Sequence, residues 1–299
     1  RRAHTGCERV FHGPGDGSGV IADVTIDNFA NRFWVTWHGK SDSGINAQIV
    51  EFLKNKNASA VVAQDKPGGA PAGLPARLFS LEAESDFECL ENGLRYKIKF
   101  ENTRHPGLFL DHEPLRNWLK ENSKGLSVLN TFCDTGSLSV AAFAGGAASI
   151  TNLDLSKPAI EWSKENLNLN FPSGNFDFIY GDVFEWLPRF IKKDRKFGIV
   201  IADPPSSSHG TKGHFSTAKD FAHLAQLAMN LVEPGGFLVL SINSYNVSWE
   251  RFIEFIGEAS AQARFKGREV IRFELPKKSF PVASKEDSYL KGVIFKNQA

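Results

Sequence analysis

The chain has 299 residues, 41% of them apolar and 23% charged; this is the make-up of a folded globular protein of one or two domains, not of a disordered chain. Its 35 Lys and Arg nearly balance 34 Asp and Glu, for a net charge of +1, so no overall basic field advertises nucleic acid, although a local patch is enough to contact phosphates. No apolar run reaches the roughly 18 residues of a membrane-spanning helix and no secretory signal opens the chain, which predicts no membrane partner.

Three cysteines (Cys7, Cys89, Cys133) without a CxxC pair predict neither a disulfide framework nor a zinc site. The expected compartment is reducing, the cytoplasm, and no metal is expected.

In chain order, residues 1–104 read as a small α+β domain, a candidate for RNA or substrate recognition. Two glycine-rich turns, residues 13–19 and 67–73, punctuate it. Val20–Ile26, Phe33–Trp37, Ala60–Gln64 and Leu94–Phe100 have strand character, and Ile45–Lys54 has helical spacing. The expected content is about five strands and a helix or two.

From about residue 105 to 299 the rhythm becomes strand, helix, strand, helix. Strands are predicted at Leu126–Cys133, Ser149–Asp154, Phe176–Asp182, Phe197–Asp203 and Phe237–Asn243. Helices are predicted at Ser137–Ala144, Ser156–Asn170 with Ser156 as cap, Val183–Lys192, Phe221–Val232 and Trp249–Ala263. Glu269–Leu275 and Tyr289–Lys296 are expected to pair as a closing hairpin. Such alternation predicts an α/β fold with a mostly parallel sheet, and ligands in such sheets bind beyond the carboxyl ends of the strands.

The chemistry-bearing residues sit at those ends. Phe132, Asp134, Thr135 and Gly136 follow the first strand, and the glycine lets backbone approach a ligand. The segment is not GxGxxG, which argues against a nicotinamide dinucleotide. Asp154 and Leu155 follow the second strand, where a carboxylate can accept both hydroxyls of a ribose or simply face the next helix dipole. Asp182 and Val183 follow the third; Asp182 can receive an adenine amine or cap a helix, and Val183 or Phe184 can flank the ring. Together these favour an adenosine-type nucleoside. Asp203-Pro204-Pro205 ends the fourth strand in a rigid turn whose carboxylate can accept amine protons.

On these residues the second half resembles the class I S-adenosylmethionine-dependent methyltransferases, and within them the bacterial large-subunit (23S) ribosomal RNA methyltransferases of the I and K/L type. The resemblance runs from Arg9–Asp23 through Gly107-Leu108-Phe109-Leu110-Asp111-His112, similar to an interdomain GLFLDQR motif, and Leu129–Ser137, similar to the cofactor loop, to Asp203-Pro204-Pro205, similar to the catalytic motif. It implies a Rossmann-like seven-stranded sheet with one antiparallel strand, preceded by the small domain. It implies S-adenosylmethionine as cofactor, S-adenosylhomocysteine as product and ribosomal RNA as partner. Phe109 and Asp111 would border the cofactor, Phe132, Asp134, Thr135 and Gly136 its methionine part, Asp154 and Leu155 its ribose, Asp182 and Val183 its adenine. Asp203, Pro204 and Pro205 would face the reacting base, with Asp203 also bordering the cofactor.

The chain departs from the pattern in three ways. His112-Glu113 stand where relatives have Gln-Arg. Ser206 and Ser207 stand where relatives place an aromatic, with Phe215 or His209 as substitutes. Relatives also begin with an RNA-binding module, for which there is no room before Arg1, so the sequence is either truncated or belongs to a branch without it.

Ser206, His209, Lys212, Asn243, Lys277 and Lys278 are the candidate substrate contacts. Residues 251–299 carry a local excess of positive charge that fits a phosphate-contacting edge or a plain solvated loop. Cytosine C5 methylation needs a nucleophilic thiolate, and Leu240-Ser241-Ile242-Asn243-Ser244, where the C5 members carry it, has no cysteine. Guanine N7 or N2 is therefore the favoured target. The rival readings are a small-molecule or protein methyltransferase on the same fold and an RNA-binding module with a decayed cofactor site.

Overall fold

The structure is a computed structural model that describes residues 6–15, 21–66, 75–81, 86–101, 105–210, 213–282 and 288–298. The chain divides into two compact units, Arg1–Asp111 with Pro276–Lys285, and His112–Leu275 with Glu286–Ala299. The first unit thus ends seven residues beyond the boundary read from composition. It also takes back residues 276–285, which sequence reading had placed in the second domain.

The first unit contains β1 (Cys7–His12), β2 (Val24–Phe29), β3 (Arg32–Trp37), α1 (Ser43–Asn55), β4 (Ala60–Asp65), β5 (Ala76–Ser80), β6 (Asp86–Glu91) and β7 (Leu94–Lys99). The first five strands form one sheet in chain order. All its pairings are antiparallel except β3 with β4, and that parallel step needs the crossover that α1 supplies. Asp42 starts α1 by accepting the Ile45 N–H at 2.9 Å. The helix buries Leu53 against Val24, Val35, Trp37 and Val61.

Two hairpins turn on two residues each. Ala30-Asn31 joins β2 to β3 and Asn92-Gly93 joins β6 to β7, all four with positive φ, as the right-handed twist of the strands requires. Sequence reading missed β1, β5 and β6.

Cys7 and Cys89 are joined as a disulfide, Cα atoms 6.3 Å apart across 82 residues of sequence. This corrects the expectation of no disulfide and removes the cysteine argument for a reducing compartment. A backbone bridge between Gly6 and Leu90 sets the two strands side by side, and no sequence spacing reveals that juxtaposition.

The second unit opens with α2 (Glu113–Asn122) and then alternates: β8 (Ser127–Thr131), α3 (Ser137–Ala144), β9 (Ser149–Asp154), α4 (Lys157–Asn170), β10 (Phe176–Tyr180), α5 (Val183–Lys192) and β11 (Phe197–Ala202). A hairpin of β12 (Ser207–Gly210) and β13 (Gly213–Ser216) precedes α6 (Thr217–Met229). The unit closes with β14 (Val232–Asn243), α7 (Trp249–Ala263), β15 (Gly267–Glu274) and β16 (Leu290–Asn297).

Seven strands form one sheet in the order β10-β9-β8-β11-β14-β16-β15. β16 alone runs against its neighbours, so the Rossmann-like sheet with one antiparallel strand is present. β11 is buried along its whole length, as a central parallel strand covered on both faces must be. Its register pairs Ala202 with Thr131 on one side and Leu240 on the other. The loops after β8 and β11 therefore leave the sheet at one level, and β14 runs three residues further, to Asn243. Among the described residues no helix is long and apolar enough to cross a membrane.

Candidate functional site

The turn after β8 is built from unusual backbone. Phe132, Asp134 and Gly136 all have positive φ (53°, 46° and 74°), a conformation that costs L side chains free energy and gathers at functional sites. Gly136 has a second reason to be glycine: a Cβ there would overlap the Ser163 hydroxyl of α4. The loop is further held by Asn166, whose Nδ2 donates to the Thr135 carbonyl at 2.8 Å.

Beneath the loop runs a set of buried hydrogen bonds. Asn130 donates to Ser139 at 2.9 Å, Ser139 donates to Asn152 at 2.6 Å, and Thr131 donates to the Ile201 carbonyl at 2.7 Å. These bonds tie β8, α3, β9 and β11 together under the site.

Asp154, at the end of β9, reaches back to the same loop. Its Oδ2 accepts the Asp134 N–H at 3.0 Å and its Oδ1 accepts the Ser156 N–H at 2.8 Å. Burial pushes its carboxyl above the usual range, against the pull of these two N–H groups. Asp182 is buried and caps α5, accepting the Phe184 N–H at 2.9 Å. Val183, the candidate ring neighbour, is buried as part of the main core. Phe184 packs partly buried against that core, with ring centroids 5.6 Å from Phe215 and 5.8 Å from His223.

Asp203 follows β11 directly. Ser241 donates to its Oδ1 at 2.6 Å, and the Nε2 of buried His112 lies 3.0 Å from Oδ2. Sequence reading named neither residue as part of the site. Ser241 is placed by strand register, with Leu240 facing Ala202 and the next residue along beside Asp203, and no pattern in the sequence alone gives that pairing. For His112 the only signal was its position after Asp111 in the interdomain motif.

The turn Pro204-Pro205-Ser206 is tied to α6. Thr217 donates its N–H to the Ser206 carbonyl and its hydroxyl to the Pro205 carbonyl, each at 3.1 Å. Phe215, the expected substitute for the missing aromatic, is buried, with its ring 6.0 Å from that of Phe132. It forms part of an aromatic wall and is not displayed to solvent.

The backbone of His209 lies in the β12–β13 hairpin, but Lys212 and the His209 side chain lie outside the described residues. Asn243 is exposed at the end of β14. Phe109, Asp111, Lys277 and Lys278 belong to the first unit, where Phe109, Lys277 and Lys278 are exposed and Asp111 is buried.

Cys133 is the one cysteine of the second unit. It is buried, and burial together with the Asp154 and Asp134 carboxylates pushes its thiol well above the usual range. A thiol held in that state is a packing group and not a nucleophile.

The arrangement therefore offers carboxylates at three strand ends, a backbone loop able to approach a ligand closely, and a fixed acceptor at a rigid proline turn. The chain as a whole is similar to known proteins. YwbD of Bacillus subtilis, described provisionally as a ribosomal RNA large subunit methyltransferase, is 29% identical over 297 residues, 97% of this chain and 74% of YwbD. The ribosomal RNA large subunit methyltransferase K/L of Pseudomonas aeruginosa is 36% identical over 185 residues, 61% of this chain but only 24% of that protein. The chain thus spans about three quarters of YwbD and about a quarter of the K/L enzyme. The crystal structure of SMU.776, a provisional methyltransferase complexed with SAH, superposes with a TM-score of 0.87 at 26% identity, over 99% of this chain and 76% of that one. With the family model of the S-adenosylmethionine-dependent methyltransferases matching residues 71–296, the strand-end carboxylates have their context: the chain belongs to that enzyme family and S-adenosylmethionine is its cofactor.

Proposed function

We propose that the chain methylates a nucleobase of RNA, with large-subunit ribosomal RNA as the substrate and a guanine nitrogen, N7 or N2, as the acceptor. The observation that carries the nitrogen assignment is the Asp203 carboxylate. It is fixed by the Ser241 hydroxyl at the mouth of the central strand, with no usable thiol in the same unit. The names of the relatives support RNA as the substrate.

The donor set suits S-adenosylmethionine, which supplies an electrophilic methyl group on a sulfonium when bound. Each Asp154 oxygen accepts one backbone N–H and keeps a second lone pair for a ribose hydroxyl. Asp182 receives the adenine amine, and the backbone of Phe132–Gly136 borders the methionine part. Asp203 and the adjoining turn accept the amine protons of the guanine and orient the ring. For N7, whose lone pair already lies in the ring plane, positioning and exclusion of water suffice. For N2, Asp203 also takes the proton released as the new C–N bond forms.

The test is methyl transfer from labelled S-adenosylmethionine to undermethylated ribosomal RNA, read by nucleoside mass spectrometry. A methylguanosine that falls about 10³-fold with Asp203→Ala, while cofactor affinity holds, is the expected result. A 5-methylcytidine product would overturn the nitrogen assignment. Absence of any RNA product from a chain that binds the cofactor would overturn RNA as the substrate.

A further inference from the structure

Away from the strand ends, the first unit holds a cavity of about 320 Å3, the size of a small ligand pocket. Its walls include Arg9 and His12 of β1, Gly15 of the following 3-10 turn, and Lys278, Ser279 and Pro281 of the returning segment. Glycine is needed at position 15, because a Cβ there would overlap the Pro281 carbonyl.

Arg9 is fully committed. It grips Asp27 with Nε at 2.6 Å and Nη2 at 2.9 Å, lies over the Phe280 ring at 4.4 Å, and sets Nη1 2.9 Å from the His12 Nδ1. A guanidinium has only donors, so the His12 Nδ1 must accept and the ring proton must sit on Nε2. His12 is 4% exposed, and that Nε2 has no hydrogen-bond partner. A buried donor left unpaired is costly; this one lies just behind the cavity wall, closed off from solvent. Burial and the Arg9 charge hold the ring's pKa down to about 4, so at neutral pH Nε2 is a fixed donor and cannot act as an acceptor.

The neighbours have the same polarity. Lys278 is an exposed ammonium and Ser279 offers a hydroxyl. Arg9 and Asp27 cancel each other's charge, which leaves Lys278 to set the sign. Among the described lining residues there is no carboxylate. Such a wall selects an acceptor-rich anion, and phosphate has that chemistry.

We infer that this cavity binds the phosphate of a nucleotide of the RNA substrate, with Lys278 supplying the charge and Ser279 donating a hydrogen bond beside the buried His12 ring, which reports the occupant. The inference rests on RNA as the substrate of the second unit's chemistry, and the experiment separates the two.

The full chain is first saturated with S-adenosylhomocysteine to block the cofactor site. The His12 imidazole resonances are then followed by NMR during addition of 5′-GMP, guanosine or inorganic phosphate. The expected result is a saturable shift with GMP, none with guanosine, and a weaker one with phosphate. Lys278→Ala, at an exposed position that does not endanger folding, is expected to weaken GMP binding about fivefold. It is also expected to raise the KM for ribosomal RNA about fivefold without changing kcat. No His12 response to GMP, or a response indifferent to Lys278→Ala, overturns the site. Equal binding of phosphate and GMP overturns the nucleotide assignment in favour of a free-phosphate site. Methyl transfer to RNA measured in parallel separates the readings: transfer without a GMP response sinks the cavity alone, and a GMP response without transfer sinks the RNA reading alone.

Discussion

The two units reach stability by different routes. The second is held by regular means: a seven-stranded sheet with a fully buried central strand, and helices capped by Ser156, Asp182 and Ser248. The first has a five-stranded sheet and a separate hairpin, and it relies on particular devices: the Cys7–Cys89 disulfide, the Arg9–Asp27 pair and two tight turns. A large core tolerates the positive-φ turn after β8 and the largely buried Asp154 carboxylate. A small one is stapled first and functional second.

Breaking the staple sharpens that contrast most. An 82-residue separation between the bonded cysteines makes the cross-link worth about 4 kcal/mol in chain entropy. Cys7→Ser, or reductant on the native chain, is expected to lower the melting transition of the first unit and spare that of the second. Calorimetry showing one unchanged transition would remove the distinction.

Next comes acid. The folded His12 ring binds its proton with a pKa of about 4 against an ordinary 6.5, so acid favours the unfolded first unit. Stability from this source is whole above pH 6.5 and falls towards pH 4 by at most about 3 kcal/mol. Denaturant midpoints of native and His12→Asn chains at pH 7 and 4.5 check it, with the variant expected to show a flatter profile.

In the second unit the large effect falls on binding and not on folding. Asp154→Ala is expected to weaken S-adenosylmethionine binding by about 2 kcal/mol, roughly 30-fold, with little loss of stability because burial already penalises that charge. Calorimetric titration gives the number. A variant that unfolds instead would show that Asp154 is a structural strut.

The smallest expected effect is a gain. Ala30 sits at φ 54°, where glycine is at ease and alanine is not. Ala30→Gly is expected to stabilise the first unit by about 1 kcal/mol in denaturant titration.

The same contrast decides what the sequence discloses. Strand-end acids, helix caps and proline stops are local signals, so Ser149–Asp154, Val183–Lys192 and Trp249–Ala263 are legible to the residue. In the first unit Asn92-Gly93 announces a hairpin, yet β6 alternates buried and exposed residues over acidic positions and escapes a reading that seeks apolar runs. The disulfide, the return of residues 276–285 and the contact of His112 with Asp203 arise between distant segments, where spacing along the chain carries no information. Cys133, expected from the sequence to be a packing thiol, is buried in the turn after β8.

The clasp at Thr217 has a consequence for the hairpin that precedes it. Because Thr217 closes on the Pro205 and Ser206 carbonyls, the hairpin of residues 207–216 leaves and rejoins the fold at nearly one point. Such an excursion is anchored at its base, so changes within it are separated from Asp203 by the Thr217 clasp.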